Sequence, residues 1–155
     1  MEGVLGFDLV IGYGNTLRGD DGVGRRVAEA VAAWNLPQVR VLSVHQLTPE
    51  LAEPLARARC VIFADACVNG EEQVQVRHLE PAERSSALGH SNGPSELLAL
   101  ARQLYGRCPD TWLITIPAVC TDFGEELSET TERGINTALQ HIARLLNPAS
   151  PMLHR

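Results

Sequence analysis

The chain predicts an α/β fold: a three-layer α/β/α sandwich built on a mostly parallel, twisted five-stranded sheet with one antiparallel strand. Three observations carry this. Runs rich in valine and isoleucine recur at Leu9 to Ile11, Val39 to Val44, Cys60 to Ala64, Val74 to Leu79 and Trp112 to Ile116, with the composition of strands. Helical patterns fall between most of them, the alternation that implies parallel strands, right-handed crossovers and helices on both faces. The first, third and fifth runs are nearly continuous in apolar character, as strands covered on both faces must be.

Each element has a local signature. The first helix is expected from Gly22 to about Trp34, with Val23, Val27, Ala30 and Val31 on one face. The second is signalled by Thr48 as N-cap and Pro49 at the first helical position, continuing through Leu51 and Leu55. Pro94 opens a third helix through Leu97, Leu98, Ala101 and Leu104. The last spans roughly Ser128 to Leu146, with Ile135, Leu139, Ile142 and Leu146 as its buried stripe. Between the third and fourth strands the link Asn69-Gly70-Glu71-Glu72 is too short for a crossover, so the fourth strand is expected to run antiparallel. One domain over 1–155 is expected, with the proline-bearing tail 147–155 loosely held.

Composition removes several function classes. A net charge of −6 argues against a nucleic-acid groove or an anionic membrane surface, which need clustered positive charge. All 13 basic residues are arginine, and without lysine there is no P-loop, no Schiff base and no pyridoxal-phosphate anchor. Asp122-Phe123-Gly124 is therefore not a kinase magnesium motif. Cys60, Cys67, Cys108 and Cys120 are spaced too irregularly for a zinc knuckle or redox pair, and read as small apolar residues in a reducing compartment. No stretch approaches the roughly 18 apolar residues of a membrane span, and Met1-Glu2-Gly3 does not open a secretory signal. A cytoplasmic monomer with a protein or small-molecule partner is the expectation.

The most informative segment is Val10-Ile11-Gly12-Tyr13-Gly14-Asn15-Thr16-Leu17-Arg18-Gly19-Asp20-Asp21-Gly22-Val23-Gly24. A glycine-rich turn after a first strand usually cradles phosphate on backbone N–H groups and a helix N-terminus. Here Asp20 and Asp21 would repel phosphate, and Leu17 stands where the dinucleotide fingerprint needs a third glycine. A cation is the natural guest. In open parallel sheets ligands bind outside the carboxyl ends of the strands, which gives Asp20 and Asp21 after the first strand, His45 after the second and Asp65 after the third an address on one rim. His90, in the loop entering the third helix, can lean over the same rim. Two carboxylates and an imidazole suit zinc, nickel or iron, and ligands from separate loops leave coordination positions open. Either Asp20 or Asp21 is equally at home satisfying the backbone of its own turn. Asp65 is harder to explain blandly, since a carboxylate ending an apolar strand is costly to desolvate unless paired or bound. His78, His141 and His154 fit surface positions.

These residues resemble the hydrogenase maturation endopeptidases, which trim the C-terminal extension from the large-subunit precursor of nickel-iron hydrogenases. The resemblance runs through the first turn, the strand ending in Asp65-Ala66, the His90 loop, and Asp122-Phe123-Gly124 with its following helix. It implies an aspartyl-type endopeptidase whose metal-contacting, catalytic trio is Asp21, Asp65 and His90; Asp20 and His45 are candidates for a supporting role beside it. It also implies that nickel, carried in the precursor's cysteine ligands, is the recognition element, with other divalent metals possible in vitro. Where many members carry aspartate-glycine-threonine after the second strand, this chain reads Val44-His45-Gln46-Leu47-Thr48, similar to a His-Gln subgroup associated with cytoplasmic bidirectional hydrogenases. His45 is thus a candidate for tuning substrate choice or joining the site.

Two other readings compete. A receiver-type phosphorylation switch also places paired acids after a first strand and an aspartate after the third, but needs a lysine this chain lacks. A non-catalytic metal-binding module on the same scaffold would carry the same three side chains. A serine or cysteine nucleophile has no support: there is no Gly-x-Ser-x-Gly elbow, and no cysteine has an adjacent base in sequence.

Overall fold

Alternation of apolar side chains along three central strands divides the core into two layers. In β1 (Asp8–Tyr13), Leu9 and Ile11 face one layer and Val10 the other; in β3 (Cys60–Cys67), Val61 and Phe63 oppose Cys60, Ile62 and Ala64; in β5 (Asp110–Pro117), Leu113 opposes Ile114 and Ile116. Helices α1 (Val23–Ala32) and α4 (Glu129–Leu146) cover one face through Val23, Val27, Val31, Ala138, Ile142 and Leu146. Helices α2 (Ala52–Arg57) and α3 (Pro94–Tyr105) cover the other through Leu55, Leu97, Leu98 and Ala101. Each valine, leucine or isoleucine among them, fully buried, contributes about 1.5–3 kcal/mol. This computed structural model describes residues 6–68, 72–83 and 93–146.

The sheet has five strands in the order β2-β1-β3-β5-β4, where β2 is Val39–Val44 and β4 is Gln75–Leu79. Pairings β1/β2, β1/β3 and β3/β5 are parallel, and β4/β5 is antiparallel. The three strands with continuous apolar sequence are therefore the three interior ones. The sandwich, the element order and the antiparallel direction of β4 are as the sequence predicts. The short link from β3 gave the direction of β4 and not its neighbour, and β5 lies between the two. Burial explains the exchange. Ile114 and Ile116 need cover on both sides, whereas Arg77 and His78 on β4 are exposed and suit an edge. Residues 69–71 of that link, and the tail 147–155, lie outside the described residues.

Element bounds shift for identifiable reasons. The expected first helix, α1, starts at Val23, one residue after Gly22 and directly behind a 3-10 turn, Gly19–Gly22, and it stops at Ala32 because Trp34 and Asn35 donate to Val31 and Ala32 three residues back and Asn35 turns left-handed at φ +55°. The second helix does not start as an α-helix at Pro49. Pro54 has no N–H to give to Glu50 four residues earlier, so the chain makes a 3-10 turn, Pro49–Leu51, and begins α2 at Ala52 with Pro54 in its first turn. Thr48 is extended there but makes no side-chain cap hydrogen bond. Helix α3 opens on Pro94 and ends on Gly106 at φ +74°. No described helix is long and apolar enough to cross a membrane.

Candidate functional site

Close approach of α1 to the sheet sets the position of the acidic turn. A Cβ on Gly12 would stand 2.0 Å from the Gly24 carbonyl oxygen, and one on Gly24 would stand 2.3 Å from that of Ala64. Only this glycine pair lets the helix seat so tightly on β1 and β3. Gly14, at φ +143°, then turns the chain where a Cβ would meet the Asp21 carbonyl oxygen at 2.1 Å.

The two neighbouring acids diverge in role. Asp20 is fully buried. Its Oδ1 accepts the Ser128 N–H at 2.8 Å, and its Oδ2 accepts the Val119 N–H, the Cys120 N–H and the Ser128 hydroxyl, each at 2.8 Å. Burial alone would raise its pKa, but the N–H groups of Ser128, Cys120 and Val119 and the Ser128 hydroxyl outweigh that and hold it at about 2. Asp20 is thus an anion clamped between the first turn and the segment from β5 to α4. Ser128 in turn caps α4, its Oγ accepting the Thr131 N–H at 3.2 Å, and Thr131 donates its hydroxyl to the Pro117 carbonyl at 2.6 Å. Neither Asp20 nor Asp21 makes a side-chain cap on α1.

Asp21 is left to face the rim. Its Oδ2 accepts the Asn15 N–H at 3.1 Å, and its negative charge reaches Asp65 on the neighbouring strand. Asp65 lies inside β3, two residues before its end, so the expected strand end at Ala64 is corrected to Cys67. Burial pushes the Asp65 pKa up, the Tyr13 phenol and the Ala66 N–H pull it back, and Asp21 pushes it up again, leaving it at about 6. The Ala66 N–H donates to Asp65 Oδ1 at 2.7 Å. The chain leaves β1 toward α1 and β3 toward β4, and the ends of two such neighbouring strands open a crevice.

Of the four groups expected to converge, Asp21 and Asp65 are near enough for the Asp21 charge to raise the Asp65 pKa. The carboxylate oxygens of Asp20 are turned to backbone donors, and His45 is exposed in the bend after β2. Among the described residues no group of three His, Cys, Asp or Glu side chains is gathered closely enough to hold a metal ion. His90, the third member of the expected trio, lies outside the described residues, three positions before Gly93. What the pair offers is hard oxygen donors whose mutual repulsion a divalent cation would relieve. His78 is on the far β4 edge, held by Asp110 at 2.7 Å and Glu80 at 3.2 Å. All four cysteines are unbridged, and burial first, then the charges of Asp8 and Asp110, pushes Cys60 up to about 11, an inert thiol at neutral pH.

Two groups escaped the sequence reading. Ser128 gave only a helix-start signal, with nothing to show that Asp20 would reach it. Tyr13, at the end of β1, shares a face with Leu9 and Ile11 by strand alternation, and that face is also the face of Phe63 and Asp65.

The segments that follow β1, β3 and β5 carry the exposed apolar residues Leu17, Val68, Val119 and Phe123, the last exposed by 86%. The loop carrying Phe123 is pinned to the first turn, since Gly124 N–H donates to Leu17 O at 2.6 Å and Gly19 N–H to Gly124 O at 2.7 Å. Ala118 N–H also donates to Cys67 O at 2.9 Å. Asp122-Phe123-Gly124 therefore belongs to the wall of the same site.

No family model and no curated protein matches the chain. Solved structures do. The hydrogenase maturating endopeptidase HybD from E. coli superimposes with a TM-score of 0.75 at 23% identity, covering 93% of this chain and 94% of its own. The [NiFe] hydrogenase maturation protease HycI from Thermococcus kodakarensis KOD1 gives 0.67 at 25% identity, covering 91% and 92%. A hydrogenase 2 maturation peptidase from Thaumarchaeota archaeon SCGC_AB-539-E09 gives 0.66 at 25% identity, covering 90% and 97%. The likeness to the hydrogenase maturation endopeptidases that the first-turn motif carries is thus a likeness of fold as well, over at least 90% of the chain.

Proposed function

We propose that this chain is an endopeptidase that removes the C-terminal extension of a nickel-loaded [NiFe]-hydrogenase large-subunit precursor. The observation that carries the reading is the proximity of two carboxylates, Asp21 in the turn after β1 and Asp65 on β3, the latter with its pKa raised to about 6 by burial and by the Asp21 charge that a cation would offset. In this reading the nickel belongs to the substrate. Asp21, Asp65 and His90 contact it, so the precursor is gripped once its metal is in place, and the scissile bond is brought to the rim by that grip. Asp20 supports the site by holding the turn that presents Asp21.

The exposure of Leu17, Val68, Val119 and Phe123 in the segments that follow β1, β3 and β5 supports a polypeptide partner at that end of the sheet. The fold supports the peptidase class through its solved neighbours. The receiver reading is disfavoured: receivers order their parallel strands 2-1-3-4-5, whereas here β5 lies inside an antiparallel β4. The proposal includes the His-Gln subgroup, with His45 exposed after β2 for substrate choice, and a single-domain, monomeric chain in the cytoplasm, a reducing compartment that the unbridged cysteines favour.

The test is to mix the chain with nickel-loaded and nickel-free precursor and to follow release of a C-terminal peptide by mass spectrometry. Release from the loaded form only is expected. Equal release from both removes nickel as the recognition element, and binding without release favours the metal-binding module.

A further inference from the structure

The end of β1 away from the acidic turn carries a group that the proposed function leaves unused. Asp8 opens the strand with its side chain 5% exposed. Its Oδ2 accepts a hydrogen bond from Arg59 Nη2 at 2.7 Å. Its Oδ1 accepts none: among the described residues it is the one buried side-chain nitrogen or oxygen without a partner. A buried acceptor left without a donor is costly, and rare enough to need a cause. The fold does not supply one. The Asp8 N–H donates to Gln38 O and the Arg59 N–H to Phe7 O, both at 2.8 Å, and these bonds use the backbone alone. Strand alternation sets Asp8 on the face of Val10, level with Val39 and Cys60 on the neighbouring strands, where an apolar side chain would leave nothing unmet.

A cleft of about 350 Å3 adjoins this carboxylate. Leu36, Pro37, Val39 and Leu146 give it apolar walls, and Gln38, Asp8 and Arg59 complete the lining. Apolar walls with a few polar groups are the make-up of a small-ligand site, and the volume is within the range such sites span. Its inner charge is negative. Arg59 is 63% exposed and meets Asp8 from the solvent side, and burial raises the Asp8 pKa against the charge and hydrogen bond of Arg59. Asp110 stands in the same row, across Cys60, and after burial the charges of both acids push the Cys60 thiol up.

We propose that this cleft binds a small primary amine as its ammonium ion, one N–H donating to Asp8 Oδ1 and the aliphatic chain lying on Leu36, Val39 and Leu146. With Oδ2 taken by Arg59 a single oxygen is left, which suits a compact point donor; the planar fork of a guanidinium is matched by both oxygens of a carboxylate. Entry needs a rotation of the Arg59 side chain, for which its exposure leaves room. The cleft lies at the opposite end of β1 from the turn that bears Asp21, and its binding is independent of precursor cleavage.

The test titrates n-butylammonium into the isotope-labelled 155-residue chain and follows its backbone amide signals by NMR. Expected are saturable shifts at Leu36, Gln38, Val39 and Arg59 with a Kd of about 1–10 mM, while the signals of Gly19, Asp20 and Asp21 stay unmoved. Asp8→Asn keeps the shape and removes the charge, and is expected to bind at least about tenfold more weakly. Two further probes need no variant. n-Butyltrimethylammonium keeps the charge and the chain but has no N–H, and n-butanol keeps a donor but has no charge. Each is expected to bind wild type at least about tenfold more weakly than n-butylammonium. If Asp8→Asn does not fold, the comparison of probes on wild type decides. The amine site is overturned by any of three results: no saturable shift at those four residues in wild type, equal affinity in a folded Asp8→Asn, or equal affinity of either comparison compound.

Discussion

Asp20 and Ser128, 108 positions apart, are joined twice: the Ser128 N–H donates to Asp20 Oδ1 and its hydroxyl to Oδ2, both at 2.8 Å. One buried carboxylate thereby ties the turn after the first strand to the start of the last helix. Because Val119 and Cys120 donate to the same group, the turn that presents Asp21 and the loop that presents Phe123 form one frame.

Replacing that carboxylate by its neutral isostere is the sharpest test of the frame. In Asp20→Asn the amide NH2 would face backbone donors already pointing inward, leaving at least one N–H without an acceptor and no charge to reward the others. A loss of about 3 kcal/mol is expected, read as a fall in the urea midpoint at unchanged slope. A variant as stable as wild type would show that the four contacts contribute nothing.

The two acids also predict opposite limbs in the pH dependence of stability. Asp20 falls from 3.8 to about 2 on folding, so the unfolded chain binds more protons in between. Its contribution, about 2 kcal/mol, is present above about pH 4 and disappears toward pH 2. Asp65 rises from 3.8 to about 6, so the folded chain keeps a proton that the unfolded one releases, and stability declines as pH rises from about 4 to 6. Urea unfolding across that range checks both signs: Asp65→Asn should abolish the decline between about pH 4 and 6 and leave the acid limb.

Gly24→Ala should destabilise the chain severely despite the better helix propensity of alanine. The added methyl would stand 2.3 Å from the Ala64 carbonyl and 2.6 Å from that of Tyr13, forcing α1 off the two strands whose ends hold the site. The expected penalty is about 3 kcal/mol or more, by thermal or chemical unfolding. A neutral or stabilising effect would mean that helix and sheet separate freely there.

Much of this arrangement was legible in the residues. Unbroken apolar runs marked β1, β3 and β5 as interior strands, because burial on both faces leaves no place for alternation. The rim address of Asp21 and Asp65 followed from strand ends alone. What could not be read was pairing across distance. Nothing local distinguishes Asp20 from Asp21; the choice is made by N–H donors at Val119, Cys120 and Ser128, about a hundred residues away. The insertion of β5 beside β3 was hidden for the same reason, since a short link reports direction and not neighbourhood. Pro54 did carry its message, because a missing N–H there splits the second helix, but the stronger signal of Pro49 concealed it. Tyr13 was visible only once strand alternation was followed to the last residue of β1.

The central claim is that the Asp21 carboxylate, paired with Asp65, grips the metal-bearing substrate. The most direct measurement is the rate at which Asp21→Asn releases the C-terminal peptide from nickel-loaded precursor, with its unfolding midpoint recorded alongside. The account predicts a loss of about 100-fold or more in a protein that unfolds like wild type. Cleavage at the wild-type rate would contradict it.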